Sequence, residues 1–267
     1  MADGGQELAY GVDDRGVASI VLNRPHRRNA FTLDMIAAWV DALDQATRDS
    51  AVRVVVLRAT GKAFCAGLDI GELDKHGTNA AARKALLTEY IHHVPLAVDR
   101  LDKPIIAAVN GSAVGAGMDM SLMCDLRVAG TSATFCEGYI KIGLVPGVGG
   151  CHYLPRLVGT AKALELLWTG DTIDAPEALR LGLVNRVVPD TDLVAETDRL
   201  AGRIAAAPRT AVSVMKRAVY QGAYLDVRTS LDLISSHLAV VQATPESEAA
   251  VASARARFAP AKETDHR

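Results

Sequence analysis

Asp119 closes the run Val-Gly-Ala-Gly-Met-Asp, where β-branched sequence ending at Val109 has passed through Asn110, Gly111, Gly115 and Gly117. Glycines at a strand-to-helix turn let a ligand approach the main chain, because no Cβ stands in the way. The first N–H groups of a helix lack partners in their own helix and carry partial positive charge, so they attract a negative oxygen. A second turn of the same kind, KAFCAGLDI at residues 62–70, follows another strand-like run, VRVVVLRAT. Two such turns, each offering one N–H to a shared oxygen, are the recipe for an oxyanion hole. The same small residues would equally serve two tight turns with an acid in the first helical turn. Neither standard phosphate loop fits: the glycines at 111, 115 and 117 miss G-x-G-x-x-G, and no Gly-Lys-Ser/Thr follows.

The elements that must position these turns alternate through the first two-thirds of the chain. VASIVL (17–22), VRVVVLRA (52–59) and PIIAAVN (104–110) are short β-branched runs bounded by turn residues. Thr32 precedes a pattern that puts Leu33, Ile36, Val40 and Leu43 on one helical face. Residues 80–100 read as a further helix perturbed at Pro95. Alternation of this kind argues for an α/β core. From about Pro208 the strands vanish and three helical stretches follow. The expected division is a core over 1–207 and a helical region over 208–267 that packs on the core or on another subunit.

Size and composition exclude several classes. The 267 residues are 49% hydrophobic, enough for a core, and the net charge of −2 gives no basic surface for a nucleic-acid backbone. Aromatic residues make up 4%, too few for a base-stacking platform. The N-terminus lacks a basic start followed by an apolar stretch, and no window holds about 18 uninterrupted apolar residues. Four cysteines without C-x-x-C spacing read as reduced thiols of a cytoplasmic protein. The seven histidines form no H-x-x-x-H pair, so no metal site is expected.

Taken in order, LNRPHRRNAF (22–31), KAFCAGLDI (62–70), KPIIAAVNGSAVGAGMDMSLMCDLRVA (103–129), IGLVPGVGG (142–150), LPRLVG (154–159) and TGDTIDAPEALRLGLVNRVVP (169–189) resemble the enoyl-CoA hydratase/isomerase family, the crotonase superfamily. The resemblance implies a spiral of ββα units with a C-terminal helical trimerisation region, assembled as a homotrimer or a hexamer made of two trimers. It implies an acyl-CoA thioester as substrate, with coenzyme A entering as part of it and no other cofactor. The thioester oxyanion would be held by the backbone N–H groups of Leu68 and Ala116. The CoA moiety would lie near Arg27, Arg28, Ala66 and Leu68. The clustered arginines would equally suit a solvated turn.

The acids depart from the hydratase pattern of that family. The first glutamate is replaced by Asp119, one methylene shorter, and the second falls on Tyr139. The aspartate that other subfamilies carry falls on Gly147. Three readings stay open. Asp119 acts as the acid/base with Tyr139 donating a hydrogen bond or a proton. Glu137 turns into the site, if the segment is extended and residues i and i+2 share a face. Or the chain runs another reaction of the superfamily, namely a double-bond shift, thioester or C–C hydrolysis, or decarboxylation. A non-catalytic acyl-CoA-binding homologue is the remaining alternative. His92 matches a position near which aryl-CoA dehalogenases carry a site histidine. Residues 71–100 and the C-terminal helices are expected to line the acyl tunnel.

Overall fold

The computed structural model describes residues 6–75 and 79–258, so residues 76–78 of the expected tunnel segment and 259–267 of the expected helical region lie outside the described residues. Two compact units divide at Ala205/Ala206.

The first unit is a mixed α/β structure with two sheets. A six-stranded sheet has the order β1 (Leu8–Val12), β2 (Val17–Leu22), β3 (Val54–Ala59), β5 (Ile105–Val109), β7 (Leu126–Gly130) and β10 (Arg186–Val188). Among the described residues of this sheet only β1 and β2 are antiparallel; its other pairs run parallel and need crossovers. The smaller sheet takes β4 (Ala63–Cys65), β6 (Ser112–Val114), β8 (Thr134–Cys136) and β9 (Thr172–Asp174). Each of β3, β5 and β7 is therefore followed within a few residues by a short strand of the other sheet. This is a repeated ββα spiral, and it brings the ends of β4, β6 and β8 side by side.

Burial explains the strand sequences. All five residues of β5 are buried, and so are the first four of β3, as expected of strands covered on both faces. The helix Leu33–Arg48 begins at Thr32, whose hydroxyl accepts the Met35 N–H at 3.2 Å. Its buried stripe runs through Met35, Ile36, Trp39, Ala42, Leu43 and Ala46, a shifted version of the face expected from Leu33, Ile36, Val40 and Leu43.

The expected single helix over 80–100 is three pieces. A helix over Ala80–Leu86 passes into a π turn over Leu87–Ile91 and then a helix over His93–Arg100. Pro95 sits in the first turn of the last piece, four residues after Ile91, the last residue of the π turn. The break lies at the π turn, where His92 N–H bonds to Leu87 O at 2.8 Å.

The second unit consists of helices Arg209–Gly222, Val227–Gln242 and Pro245–Phe258. Asp226 caps the middle one through the N–H groups of Arg228 and Thr229. No described residue of these helices is buried, and Met215, Val219, Leu231 and Leu238 are more than half exposed. Among the described residues no helix is long and apolar enough to cross a membrane.

Candidate active site

Two backbone turns meet at the ends of β4 and β6. The segment 28–31 backs the segment 66–69 through Ala66 N–H to Arg28 O (3.0 Å), Phe31 N–H to Gly67 O (2.8 Å) and Asp69 N–H to Phe31 O (3.0 Å). In this parallel bridge the intervening Leu68 N–H points away from Phe31. The buried Asn29 anchors the arrangement. Its Nδ2 donates to Thr60 O at 2.8 Å and Ala63 O at 2.9 Å, and its Oδ1 accepts from Arg24 N–H at 2.8 Å. Cys65 Sγ adds a bond to Asn29 O at 3.1 Å and accepts the Gly67 N–H at 3.4 Å. Burial pushes the Cys65 thiol up to about 12, so it is a structural donor and not a nucleophile.

On the other side, Gly115 N–H is taken by Cys136 O at 2.8 Å, and Ala116 is the first residue of the site helix Ala116–Leu122. Among the described residues, neither Leu68 N–H nor Ala116 N–H has an acceptor. The two backbones nearly touch. A Cβ on Gly117 would lie 2.1 Å from Cys65 O, and one on Gly67 would lie 3.5 Å from Ala116 N. Glycine at 117 is a steric requirement of the approach, and at 67 the backbone φ of 93° favours it.

The acids gather beside this junction. Asp119 is 0% exposed and its Oδ2 accepts the Tyr139 phenol at 2.7 Å. The Tyr139 ring lies against Gly115, about one van der Waals contact from where its Cβ would stand. Glu137 is 1% exposed. It does not belong to an extended segment: β8 ends at Cys136, and Glu137 (φ −80°, ψ 51°) opens a 3-10 turn over Gly138–Ile142. A bond from Tyr139 N–H to Glu137 O at 2.7 Å closes the bend and lets both side chains meet Asp119. A Cβ on Gly150 would lie 2.5 Å from Asp119 Oδ1 and 2.9 Å from Glu137 Oε1, so both oxygens face one point.

Burial dominates the electrostatics. It raises the Asp119 carboxyl to about 6, against the pull of the Tyr139 phenol, the Glu137 carboxyl and the Gly150 and Val148 amides. Burial and then the Asp119 charge raise Glu137 to about 10. Tyr139 is also raised, by burial first and by Asp119 second, so the phenol keeps its proton.

The other sequence candidates lie around this centre. Arg27 and Arg28 are exposed, and neither guanidinium makes a hydrogen bond or ion pair among the described residues. Ala66 and Leu68 are half-buried. His92 Nε2 is bonded to Gly147 O at 2.8 Å, which ties it to the loop before Val148 and Gly150. Gly147, where some subfamilies carry an acid, packs against Leu87. Asn29 and Gly150 were not singled out by sequence. The clue to Asn29 was an asparagine closing the Arg-Pro turn, where it adopts φ 54°. Gly150 looked like one more glycine of a loop. Among the described residues no group of three or more His, Cys, Asp or Glu could hold a metal ion, and none of the four cysteines is in a disulfide.

The model of the Enoyl-CoA hydratase/isomerase family matches residues 13–258, and the chain belongs to that family. It is 34% identical over 233 residues to the crotonyl-CoA hydratase of Syntrophomonas wolfei, covering 87% of this chain and 88% of that protein. It is 35% identical over 222 residues to the 1,2-epoxyphenylacetyl-CoA isomerase of Escherichia coli, covering 82% and 84%. The crystal structure of an enoyl-CoA hydratase from Mycobacterium smegmatis superimposes with a TM-score of 0.90 at 35% identity, covering 96% of this chain and 99% of that one.

Proposed function

We propose that this enzyme adds water across the double bond of a 2-enoyl-CoA, with Asp119 and Tyr139 moving the proton and the Leu68 and Ala116 amides holding the oxyanion. The observation that carries the reading is the 2.7 Å bond from Tyr139 to Asp119 beside two adjoining backbones whose N–H groups have no acceptor. Asp119 is shielded, so it acts through the half-buried phenol. Water attacks C3, and the displaced electron pair moves through C2 to the thioester oxygen. The water proton passes to Tyr139 Oη as the phenol proton passes to Asp119 Oδ2. The reverse shift then returns a proton to C2, leaving the 3-hydroxyacyl-CoA and the original protonation state. An Asp119 carboxyl raised to about 6 suits a base working near neutrality.

The exposed guanidinium groups of Arg27 and Arg28, on the segment that hydrogen-bonds Ala66, support a CoA-phosphate contact there. The chemistry asks for no cofactor beyond the CoA carried by the substrate. The half-exposed apolar side chains of the second unit support a homotrimer or hexamer, which light scattering tests. The absence of disulfides among the mostly buried cysteines supports a cytoplasmic setting.

Asp119→Asn should lower crotonyl-CoA hydration at least tenfold, about 1.4 kcal/mol, with CoA binding kept. An unchanged rate removes Asp119 from the mechanism. The tyrosine in place of a second carboxylate favours one other reading, a double-bond shift, which needs only one acid/base. A panel of 2-enoyl and 3-enoyl thioesters separates the two. Deuterium exchange at the α-carbon of a saturated acyl-CoA separates either from a protein that only binds thioesters.

A further inference from the structure

Glu137 is the one buried carboxyl beside the junction to which the proposed reaction gives no task. Both of its oxygens are buried without a hydrogen-bond partner, and so is Asp119 Oδ1. Glu137 Oε1 and Asp119 Oδ1 nonetheless converge at Gly150. Two charged carboxylates facing each other out of water would repel without any solvent to relieve them. One of the two must therefore keep a proton.

The donors around the pair decide which. Asp119 Oδ2 receives the Tyr139 phenol, and the Gly150 and Val148 amides also favour its charged form. Glu137 receives no donor from any described residue. The other ionisable groups that act on the pair are acids: Tyr139 on the turn after β8, Cys136 at the end of β8, and Cys151 on the helix Gly150–Val158. The Lys141 ammonium bonds to Cys136 Sγ at 3.8 Å and not to either carboxyl. His92, the imidazole tied to this loop, is bonded to Gly147 O.

We propose that Glu137 and Asp119 form a one-proton dyad in which neutral Glu137 donates to Asp119 Oδ1, making Glu137 the positioning residue that holds Asp119 as an anion aimed at Tyr139. With Glu137 on one oxygen and Tyr139 on the other, the Asp119 carboxylate cannot rotate. The donated bond favours its charged form, so it is ready to accept a proton through the phenol. Phenol, carboxylate and neutral acid form one line of hydrogen bonds, and only its Tyr139 end is offered to a ligand. The role assigned to Glu137 rests on the hydratase reading. The dyad itself does not, because it is measured in resting protein without substrate.

Infrared titration of the full-length protein in D2O tests it. At neutral pH the wild type should show the C=O stretch of one buried protonated carboxyl, and Glu137→Gln should lose that band. Glutamine still donates an N–H to Asp119, whereas Glu137→Met donates nothing. The Asp119 titration midpoint, followed by ¹³C-carboxyl NMR, should therefore lie about one pH unit or more higher in the Met variant than in the Gln variant, a tenfold change in proton affinity. Absence of the band in wild type, its survival in Glu137→Gln, or coincident midpoints in the two variants would overturn the dyad. If the Met variant does not fold, the wild-type and Gln spectra still decide. A band that is present in a protein without hydratase activity would keep the dyad and reject the reaction.

Discussion

Replacing Glu137 with glutamine should flatten the pH dependence of folding stability. In the folded protein burial keeps the Glu137 proton up to about 10, against an ordinary value of 4.5 in the unfolded chain. Between those values the native state binds one more proton than the unfolded state, so stability falls as pH rises. Its full contribution is present below 4.5 and is progressively lost on the way to about 10. Over the first part of that window, up to neutrality, the loss is about 2.5 pH units at about 1.4 kcal/mol each, or roughly 3.5 kcal/mol. Glutamine has nearly the same shape and does not titrate, so the variant escapes this loss. The Asp119 carboxyl is raised from 3.8 to about 6 and destabilises over its own window, in wild type and variant alike. Urea unfolding followed by fluorescence and circular dichroism, between about pH 5 and about pH 8, measures the difference. The variant's advantage should widen by about 1.4 kcal/mol per pH unit. A gap that stays constant over that range would show that Glu137 binds no extra proton in the native state, and the electrostatic reasoning would fall with it.

Three further outcomes follow from the same geometry. In Gly117→Ala the new methyl would stand 2.1 Å from Cys65 O, so the two amide-bearing turns must separate. Loss of one aligned donor should cut kcat by about 10²-fold with secondary structure retained, and an unaltered kcat would dissociate the turns from the chemistry. Tyr139→Phe removes both the relay and a hydrogen bond to the Asp119 carboxylate. Turnover should fall by roughly 10²-fold, and the acid limb of the pH–rate profile should move to higher pH because the charged form of Asp119 loses support. Arg127, 2% exposed, donates to the carbonyls of Leu183 and Cys124 at 2.6 Å and of Ser121 and Leu122 at 3.2 and 3.3 Å, closing the end of the site helix. Arg127→Met should cost about 2–4 kcal/mol in urea unfolding, since it leaves buried carbonyls unpaired.

The long elements were legible because they repeat a pattern. VASIVL is β2 residue for residue, and β3 and β5 lie inside the runs expected for them. The strands β4, β6, β8 and β9 have three residues each, too few to display an alternation, and only their partners define them. The π turn before His92 likewise has a tertiary contact at its end. Its wide loop places the imidazole on Gly147 O, a partner 55 residues away that no local signal announces. At the site, Asp119 was visible because an acid beside glycines at a strand end is unusual. The role of Gly150 depends on two carboxyls arriving at it from other elements, so it could not be read along the chain. Tyr139 was visible because it falls where the family resemblance places a second glutamate, and Glu137 because an extended segment would put residues i and i+2 on one face. A turn begins at Glu137 instead, and it delivers both.

That turn also bears on why a chain of this family can dispense with a glutamate at position 139. A carboxylate there would put a second full charge beside Asp119. The phenol instead donates a hydrogen bond, keeps its proton because burial and Asp119 oppose its ionisation, and leaves Asp119 as the one anion facing it. The remaining carboxyl, Glu137, lies two residues earlier, where solvent does not reach it and it faces Asp119. The set of groups is then one phenol, one carboxylate and one neutral acid, with a single negative charge among them. Such a set can take up one proton and return it without separating two like charges. Both hydration and a double-bond shift through an enolate require only that, which is why turnover of distinct substrates, and not the acids alone, separates the two reactions.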